Sequence, residues 1–286
     1  MLTANQIAER RRGIGGSEIC AILGLSRFSG PVDVYLAKAE GFQQATNPDM
    51  ERGSFLESGV ADWAASRMGV NLSSHLTVHH PSAPALCTPD RTWIDDAGLH
   101  LLSIKCPRFG GDAWGFDGTS LIPEAYAIQL QWEDMVCRDA GWKLSRHHKL
   151  AALIDGDLRI YNLERDEELQ EYLLKFCRDW WAKHVETNTP PPLDGSPGAS
   201  AWILRRFPRD TRPLRGATES DNKLMGALRA ADAGLKIAEA EWATAAQRMK
   251  EAIGDDAGIE GDGFKVTWKA NVKGSRVFKP TWRQYE

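Results

Sequence analysis

The stretch CTPDRTWIDDAGLHLLSIKCP, residues 87–107, contains two short apolar runs separated by a turn. The first run begins just after Asp90, and the second ends at Lys105, two residues beyond Ser103. Side chains two residues apart on a strand project from one face, so Ser103 and Lys105 share a face and Ile104 turns into the core. The pattern predicts two adjacent strands that bring Asp90 and Lys105 to one pocket.

Such a pocket suits Mg²⁺-assisted cleavage of a phosphodiester. Mg²⁺ prefers oxygen ligands and needs few carboxylates. When bound, it stabilises charge on the phosphate and makes a water nucleophilic. Asp90 and the Ile104 carbonyl are therefore candidate ligands, and Lys105 is a candidate for orienting the water. A second carboxylate is expected at position 103, where this chain has Ser103.

The surrounding segments predict a sheet packed against helices, an α/β (α+β) fold. Short apolar runs parted by turn residues from Asn71 to Lys105 predict strands. Two more strands are predicted around the turn at 155–157, and His147 and His148 should point to opposite faces of the first. Helices are predicted at 48–68, from Pro123 and at 166–186. The inner side of the helix at 48–68 is predicted to carry Met50, Phe55, Val60, Trp63 and Ala64.

The bulk composition favours a cytoplasmic protein. No apolar run approaches the length of a membrane span, and the first residues lack the apolar stretch of a signal peptide. Five scattered cysteines without metal-site spacing predict reduced, mostly buried thiols. A net charge of −4 argues weakly against nucleic acid, although arginines cluster at 10–12 and 205–215.

The chain is expected to divide into a core at 1–195, a Pro/Arg-rich linker at 196–216 and an appendage at 217–286. Apolar residues in the appendage recur every three or four positions from Leu224 to Ala252, which predicts a long helix with a narrow apolar seam. A β-hairpin should follow it. Oligomer contact and DNA contact are the two roles open to the appendage.

Several motifs in order resemble the lambda-type alkaline exonucleases, the YqaJ-like viral recombinases of the PD-(D/E)XK nuclease superfamily. They are RRRGIGGSEICAILGLS, PVDVYLAKAEG, RGSFLESGVADWA, TPDRTWIDDAGLHLLSIKCP and AYAIQLQWEDMVC, and together they span most of residues 10–190. The resemblance implies a restriction-endonuclease-like core with a central mixed sheet. It also implies a bacteriophage enzyme in a bacterial host that uses Mg²⁺, or Mn²⁺ as a substitute, to digest one strand of duplex DNA from its 5′ end. A homotrimer and a single-strand annealing protein as partner complete the implied picture.

Carried over residue by residue, the resemblance implies that Asp90 and the Ile104 carbonyl bind the metal and that Lys105 orients the attacking water. Glu57 matches a helix glutamate near the metals, and Gln131, or alternatively Gln129, falls in the family's glutamine motif. Two residues would hold the phosphate of a DNA end: Ser17, which the sequence also predicts as a helix N-cap, and one arginine of the preceding triplet, Arg11 or Arg12.

Ser103 departs from the family pattern of glutamate or aspartate, and three explanations compete. The residue was substituted to trap a complex, the protein is a binding-only relative, or another acid has taken over. Asp95, Asp96 and Glu124 are the acids considered for that replacement. Three hypotheses remain: a 5′-to-3′ exonuclease, a DNA-end-binding protein, and a structural protein in which Asp90 and Lys105 form a buried ion pair.

Overall fold

A four-stranded mixed sheet forms the centre of the computed structural model, which describes residues 8–26, 28–42, 48–108, 111 and 113–282. The strands are β3 (Arg91–Asp95), β4 (Gly98–Lys105), β5 (His147–Ile154) and β6 (Asp157–Glu164). They lie in the order β3-β4-β5-β6, with β4 and β5 parallel and the outer pairs antiparallel. The β5–β6 turn has positive φ at Asp155 (53°) and Gly156 (95°), as a two-residue hairpin turn requires, so this predicted hairpin is confirmed.

Two small strands and six helices complete the described part of the first unit. The strands are β1 (Val78–His79) and β2 (Leu86–Cys87), and the helices are α1 (Gly16–Ile22), α2 (Pro31–Tyr35, continued by a π-helical turn at Leu36–Glu40), α3 (Pro48–Met68), α4 (Glu124–Asp139), α5 (Glu167–Trp180, continued by a π-helical turn at Trp181–Glu186) and α6 (Pro197–Arg206). Helix α4 lies in the chain between the parallel strands β4 and β5, as a parallel connection requires.

The two faces of the sheet are covered by different helices. Leu102 and Ile104 of β4 pack in one apolar cluster with Val60 and Ala64 of α3. Leu101, from the opposite face of β4, packs in another cluster with Leu130 of α4. Strand alternation therefore directs Ser103 and Lys105 toward the α4 side of the sheet.

The inner face of α3 differs from the predicted one. Val60 and Ala64 are buried as expected, together with Ala61, but Met50, Phe55 and Trp63 are exposed. With 3.6 residues per turn, Phe55 and Trp63 lie away from the buried side. Met50 lies on that side but in the first turn of the helix, more than two turns before Val60. The five cysteines are free, and four of them are buried, as predicted.

The predicted linker at 196–216 contains helix α6, which belongs to the first unit. Ser196 caps the helix by accepting a hydrogen bond from the Ala199 N–H (3.1 Å), and Ala199 is buried in the core of that unit. The guanidinium of Arg205 stacks 3.7 Å from the ring centre of Phe42. The compact units divide between Pro208 and Arg209, later than the predicted end of the core at 195.

The second unit consists of one long helix and a three-stranded sheet. Helix α7 (Glu219–Ile253) precedes β7 (Gly258–Gly261), β8 (Phe264–Ala270) and β9 (Arg276–Trp282), which form an antiparallel sheet in chain order. Phe278 of the sheet contacts Trp242, and Ile253 is buried at the end of α7. Most of the predicted apolar seam, from Leu224 to Trp242, is exposed.

No helix in the described ranges is long and apolar enough to span a bilayer.

Candidate metal and nuclease site

Asp90 and Lys105 meet where β3 begins and β4 ends. Lys105 Nζ lies 3.9 Å from Asp90 Oδ2, and Ser103 Oγ donates a hydrogen bond to the same oxygen at 3.2 Å. The side chains of Lys105 and Asp90 remain 14% and 22% exposed, whereas Ser103 is only 1% exposed. The predicted convergence of Asp90 and Lys105 is present, and the pair is open to solvent on one side.

The backbone of Ile104 also faces Asp90. Its N–H donates to Asp90 Oδ2 at 2.7 Å. The N–H and C=O of one extended residue point to the same side of a strand, so the Ile104 carbonyl is expected on the side of Asp90 as well. Asp90, Lys105 and the Ile104 backbone thus form one notch. The side chain of Ile104 is buried on the α3 side of the sheet, as predicted.

Glu57 lies at the same end of the sheet, on the α3 side. Its carboxylate accepts a hydrogen bond from Arg91 Nη1 at 3.1 Å, and that nitrogen also donates to the backbone carbonyl of Asp90. The ion pair holds Glu57 beside the start of β3, although 40% of its side chain is exposed. The structure therefore brings Glu57 into the neighbourhood of Asp90 through Arg91.

Glu133 of α4 is an acid of this site that the sequence interpretation missed. The residue is 3% exposed, and Gln129 Nε2 donates to its carboxylate at 2.9 Å. Burial raises the pKa of Glu133 to about 7, and the negative charge of Asp90 adds to that rise. The charge of Lys105 and the bond from Gln129 oppose it. Glu133 is thus a buried carboxyl within electrostatic range of both Asp90 and Lys105.

Gln129 and Gln131 point in different directions, as their spacing on a helix requires. Gln131, assigned above to the glutamine motif, donates to the Glu164 carbonyl (2.7 Å) and accepts from the Asp166 N–H (3.0 Å), so its amide joins the end of β6 to the start of α5. Gln129 instead bonds Glu133. The geometry favours Gln129 over Gln131 as the glutamine of the site.

A buried polar network surrounds Gln131 and lies apart from the notch. Asp134 accepts hydrogen bonds from Arg165 (2.6 and 2.8 Å), Gln170 (2.7 Å) and His148 Nε2 (2.9 Å). Burial alone would raise the pKa of Asp134, but these bonds outweigh burial and hold it well below its ordinary value. His148 is buried and His147 exposed, which confirms their predicted opposite orientations.

The residues expected to hold a DNA end lie around the first helix. Ser17 is exposed in the first turn of α1, but the N-cap is Gly15, because the helix begins two residues earlier than predicted. Arg12 is exposed. Arg11 donates to the carbonyls of Lys38 (3.5 Å) and Ala39 (3.4 Å) near the end of the π-helical turn, so its guanidinium is partly engaged.

The α1 helix begins against α4. A Cβ added at Gly16 would lie 2.7 Å from Gln129 Cγ and 3.6 Å from Glu133 Oε1. Only glycine permits this approach, and the start of α1 thereby covers Glu133. Ser17 is the next residue, so it also lies near this part of α4.

The acids considered as replacements for position 103 lie elsewhere. Asp95 is at the far end of β3, where it accepts from His100 Nε2 at 2.8 Å. Asp96 is exposed in the β3–β4 turn, and Glu124 is exposed at the first residue of α4. The five residues from Asp90 to Asp95 span about 16 Å of extended chain. Asp95 and Asp96 therefore do not reach Asp90.

Comparison with known proteins identifies relatives of the part of the chain that contains these residues. Residues 7–140, which include Asp90, Lys105 and Glu133, match the YqaJ-like viral recombinase domain. This part of the chain is therefore similar to that domain. The uncharacterized protein YqaJ of Bacillus subtilis (strain 168) is 28% identical over 207 residues, or 70% of this chain. The chain spans 62% of the length of that relative.

The chain also resembles a solved nuclease in its fold. The alkaline exonuclease LHK-Exo from Laribacter hongkongensis superposes with a TM-score of 0.50 at 16% identity, covering 71% of this chain and 97% of its own. The complex of LHK-Exo with dAMP gives a TM-score of 0.51 at the same identity and coverage. The predicted α/β fold, with a central mixed sheet flanked by helices, is confirmed.

Proposed function

We propose that this protein is a metal-dependent deoxyribonuclease that digests one strand of linear duplex DNA from its 5′ end. The observation that carries the proposal is the meeting of Asp90, Lys105 and the Ile104 backbone in one partly open notch. A purely structural ion pair fits this arrangement less well, because the 3.9 Å between Lys105 Nζ and Asp90 Oδ2 is a loose contact and both side chains are partly exposed.

The donor set suits a hard divalent ion such as Mg²⁺, with Mn²⁺ as a substitute. No group of three or more His, Cys, Asp and Glu close enough to hold a metal occurs among the described residues. Mg²⁺ requires only one or two carboxylates, however, and takes its other ligands from water and substrate. Asp90 and the Ile104 carbonyl would hold the ion, with Glu57 nearby. Bound there, it would stabilise charge on the scissile phosphate and make a water nucleophilic.

The protein's own groups have separate tasks in this proposal. Asp90 is fixed by the Ile104 N–H and the Ser103 hydroxyl, so its carboxylate keeps one orientation. Lys105 places a positive charge beside it, where an ammonium group orients a water or neutralises phosphate. Tyr126 supports that charge, since its ring centre lies 5.6 Å from Lys105 Nζ.

Recognition of the DNA end, assembly and partner are further parts of the proposal. Arg12 and Ser17 offer exposed groups for a terminal phosphate, and Arg11 would join them by leaving its carbonyl contacts. The family resemblance supports a homotrimer around the duplex and a single-strand annealing protein as partner in phage-type recombination.

A DNA-end-binding protein without chemistry is the second candidate, because β4 carries no acid at position 103. Ser103 is neutral and buried, and a hydroxyl binds Mg²⁺ much more weakly than a carboxylate does. That candidate predicts retained binding of duplex ends and no cleavage with either metal.

A nuclease assay on 5′-phosphorylated linear duplex with Mg²⁺ or Mn²⁺ tests the proposal. We expect metal-dependent release of nucleotides, and a loss of about 100-fold or more for Lys105→Met. Arg146→Met is the control: this residue pairs with Glu167 at the exposed start of α5 and should leave the rate unchanged. End binding without cleavage by the natural sequence would establish the second candidate instead.

A further inference from the structure

We propose that Glu133, projecting from helix α4, supplies the second carboxylate of the metal site that strand β4 lacks at position 103. The inference rests on the proposed function and identifies which residue completes its site. It assigns to a helix a ligand that the strand pattern places two residues before the lysine.

The first support is the missing charge on β4. Ser103 faces the α4 side of the sheet and is almost wholly buried, and its hydroxyl donates a hydrogen bond to Asp90. A group that completes the site must therefore approach from the element that covers this face. That element is α4, whose Leu130 packs with Leu101 two residues before Ser103.

The second support is the position of Glu133 on that helix. Positions three and four residues apart lie on one side of a helix, so Glu133 is aligned with Leu130, which faces the sheet, and with Gln129, which bonds its carboxylate. Tyr126, seven residues before Glu133 and on the same side of α4, has its ring centre 5.6 Å from Lys105 Nζ, so this side of the helix faces the lysine. The Glu133 carboxyl is also within electrostatic range of Asp90 and Lys105.

The third support is the cost of keeping this acid buried. A carboxylate withdrawn from water is strongly unfavourable unless it is paired with a cation or bound to a metal. Gln129 supplies an amide donor and α1 closes over the residue at Gly16, and the charge of Lys105 offsets the effect of burial only in part. A buried acid in this situation is typical of a functional site.

The other acids near the sheet do not meet these conditions. Asp95 and Asp96 lie beyond the far end of β3. Glu57 belongs to the α3 side and already pairs with Arg91. Glu124 is on α4 but exposed, nine residues and about 13 Å along the helix axis from Glu133.

Mn²⁺ binding to the full chain without DNA, measured by electron paramagnetic resonance of the free ion, tests the proposal directly. We expect Glu133→Gln to weaken Mn²⁺ binding about tenfold or more, because it removes a charged ligand and keeps the side-chain shape. Glu124→Gln is the matched control from the same helix and should change the Kd by less than about twofold.

A rescue variant separates a ligand from a merely structural acid. Ser103→Asp places a carboxylate on β4, so the double variant Ser103→Asp/Glu133→Gln should recover most of the lost Mn²⁺ affinity. A structural role for Glu133 gives no such recovery. Should Glu133→Gln fail to fold by circular dichroism, Glu133→Asp takes its place, and its retracted carboxylate should weaken Mn²⁺ binding as well.

Asp90→Asn distinguishes failure of this inference from failure of the proposed function. If Asp90→Asn loses Mn²⁺ while Glu133→Gln binds it like the natural sequence, the site stands and the assignment of Glu133 is overturned. If the natural sequence binds no Mn²⁺ and cleaves no DNA, the proposed function and the inference fall together.

Discussion

At the scale of single residues, the notch depends on a few short contacts around one oxygen. Asp90 Oδ2 accepts hydrogen bonds from the Ile104 N–H and the Ser103 hydroxyl, and it lies 3.9 Å from Lys105 Nζ. This convergence follows from strand alternation and the turn between two apolar runs, so the sequence alone predicts Asp90 and Lys105.

Glu133 was not predicted because its local sequence gives only a weak indication that it differs from a solvated helix residue. A strand pattern relates positions two apart, whereas Glu133 lies 28 residues beyond Lys105 and comes close only through packing of α4 on the sheet. One signal was available: Gln129, Glu133 and Cys137 succeed each other at steps of four, and a polar pair in line with a cysteine indicates a buried row. The choice between Gln129 and Gln131 likewise needed the rotation of α4 about its axis.

Gly16 provides a residue-scale prediction. In Gly16→Ala the new methyl would meet Gln129 Cγ at 2.7 Å, so we expect a loss of about 1–3 kcal/mol in the free energy of unfolding, measured with urea. Gly59→Ala on α3 is the control, since no atom lies within 4 Å of its added Cβ, and it should be neutral or stabilising by up to about 1 kcal/mol. Equal stability of the two variants would contradict the close approach of α1 to Gln129.

At the scale of elements, α4 serves two separate purposes on two faces. Gln129 and Glu133 face the notch and α1, whereas Gln131 and Asp134 tie the helix to β5 and α5. The existence of α4 and its start near Pro123 follow from the sequence. The partners of its polar residues depend on strands and helices far along the chain, which periodicity does not specify.

Asp134 gives a prediction for stability and its pH dependence. Its pKa is lower in the folded than in the unfolded chain, so its contribution is complete above about pH 4 and is lost as the pH falls further. Asp134→Asn should cost about 3–5 kcal/mol at pH 7, because it leaves buried Arg165 without its anion.

Urea unfolding between pH 3 and pH 7 checks this prediction. The difference between the natural protein and Asp134→Asn should shrink toward pH 3. Asp232→Asn, at an exposed ion pair with Lys236 on α7, should change stability by less than about 0.5 kcal/mol at every pH. A constant difference across the range would show that Asp134 contributes by packing alone.

At the scale of the whole molecule, the chain contains two units with different cores. The first unit has a core that includes Ala199 of α6. Among the described residues of the second unit, the buried side chains lie in the last third of α7 and in the sheet. Composition predicts a different kind of segment from residue 217 onward. The helix inside the predicted linker was missed because a run of arginines and a preceding proline-rich segment resemble a connector.

A truncation after Pro208 tests the independence of the first unit. We expect the fragment to unfold cooperatively with a Tm close to that of the corresponding transition in the full chain, because its core is complete without residues 209–286. Scanning calorimetry is the measurement. A fragment ending at 195, the predicted core boundary, removes α6 and should unfold at a lower temperature; equal Tm values would place the end of the unit at 195.

The position of α4 between the parallel strands β4 and β5 has an evolutionary consequence. Positions 103 and 133 reach the same notch from a strand and from the helix that follows it, so an ancestor holding acids at both would be redundant in ligands. A single substitution could then remove either acid while the other still binds the metal, so the protein would remain active. A homologue whose acid pattern looks broken when only the strand is inspected should therefore be searched at the corresponding helical turn before it is counted among inactive lineages.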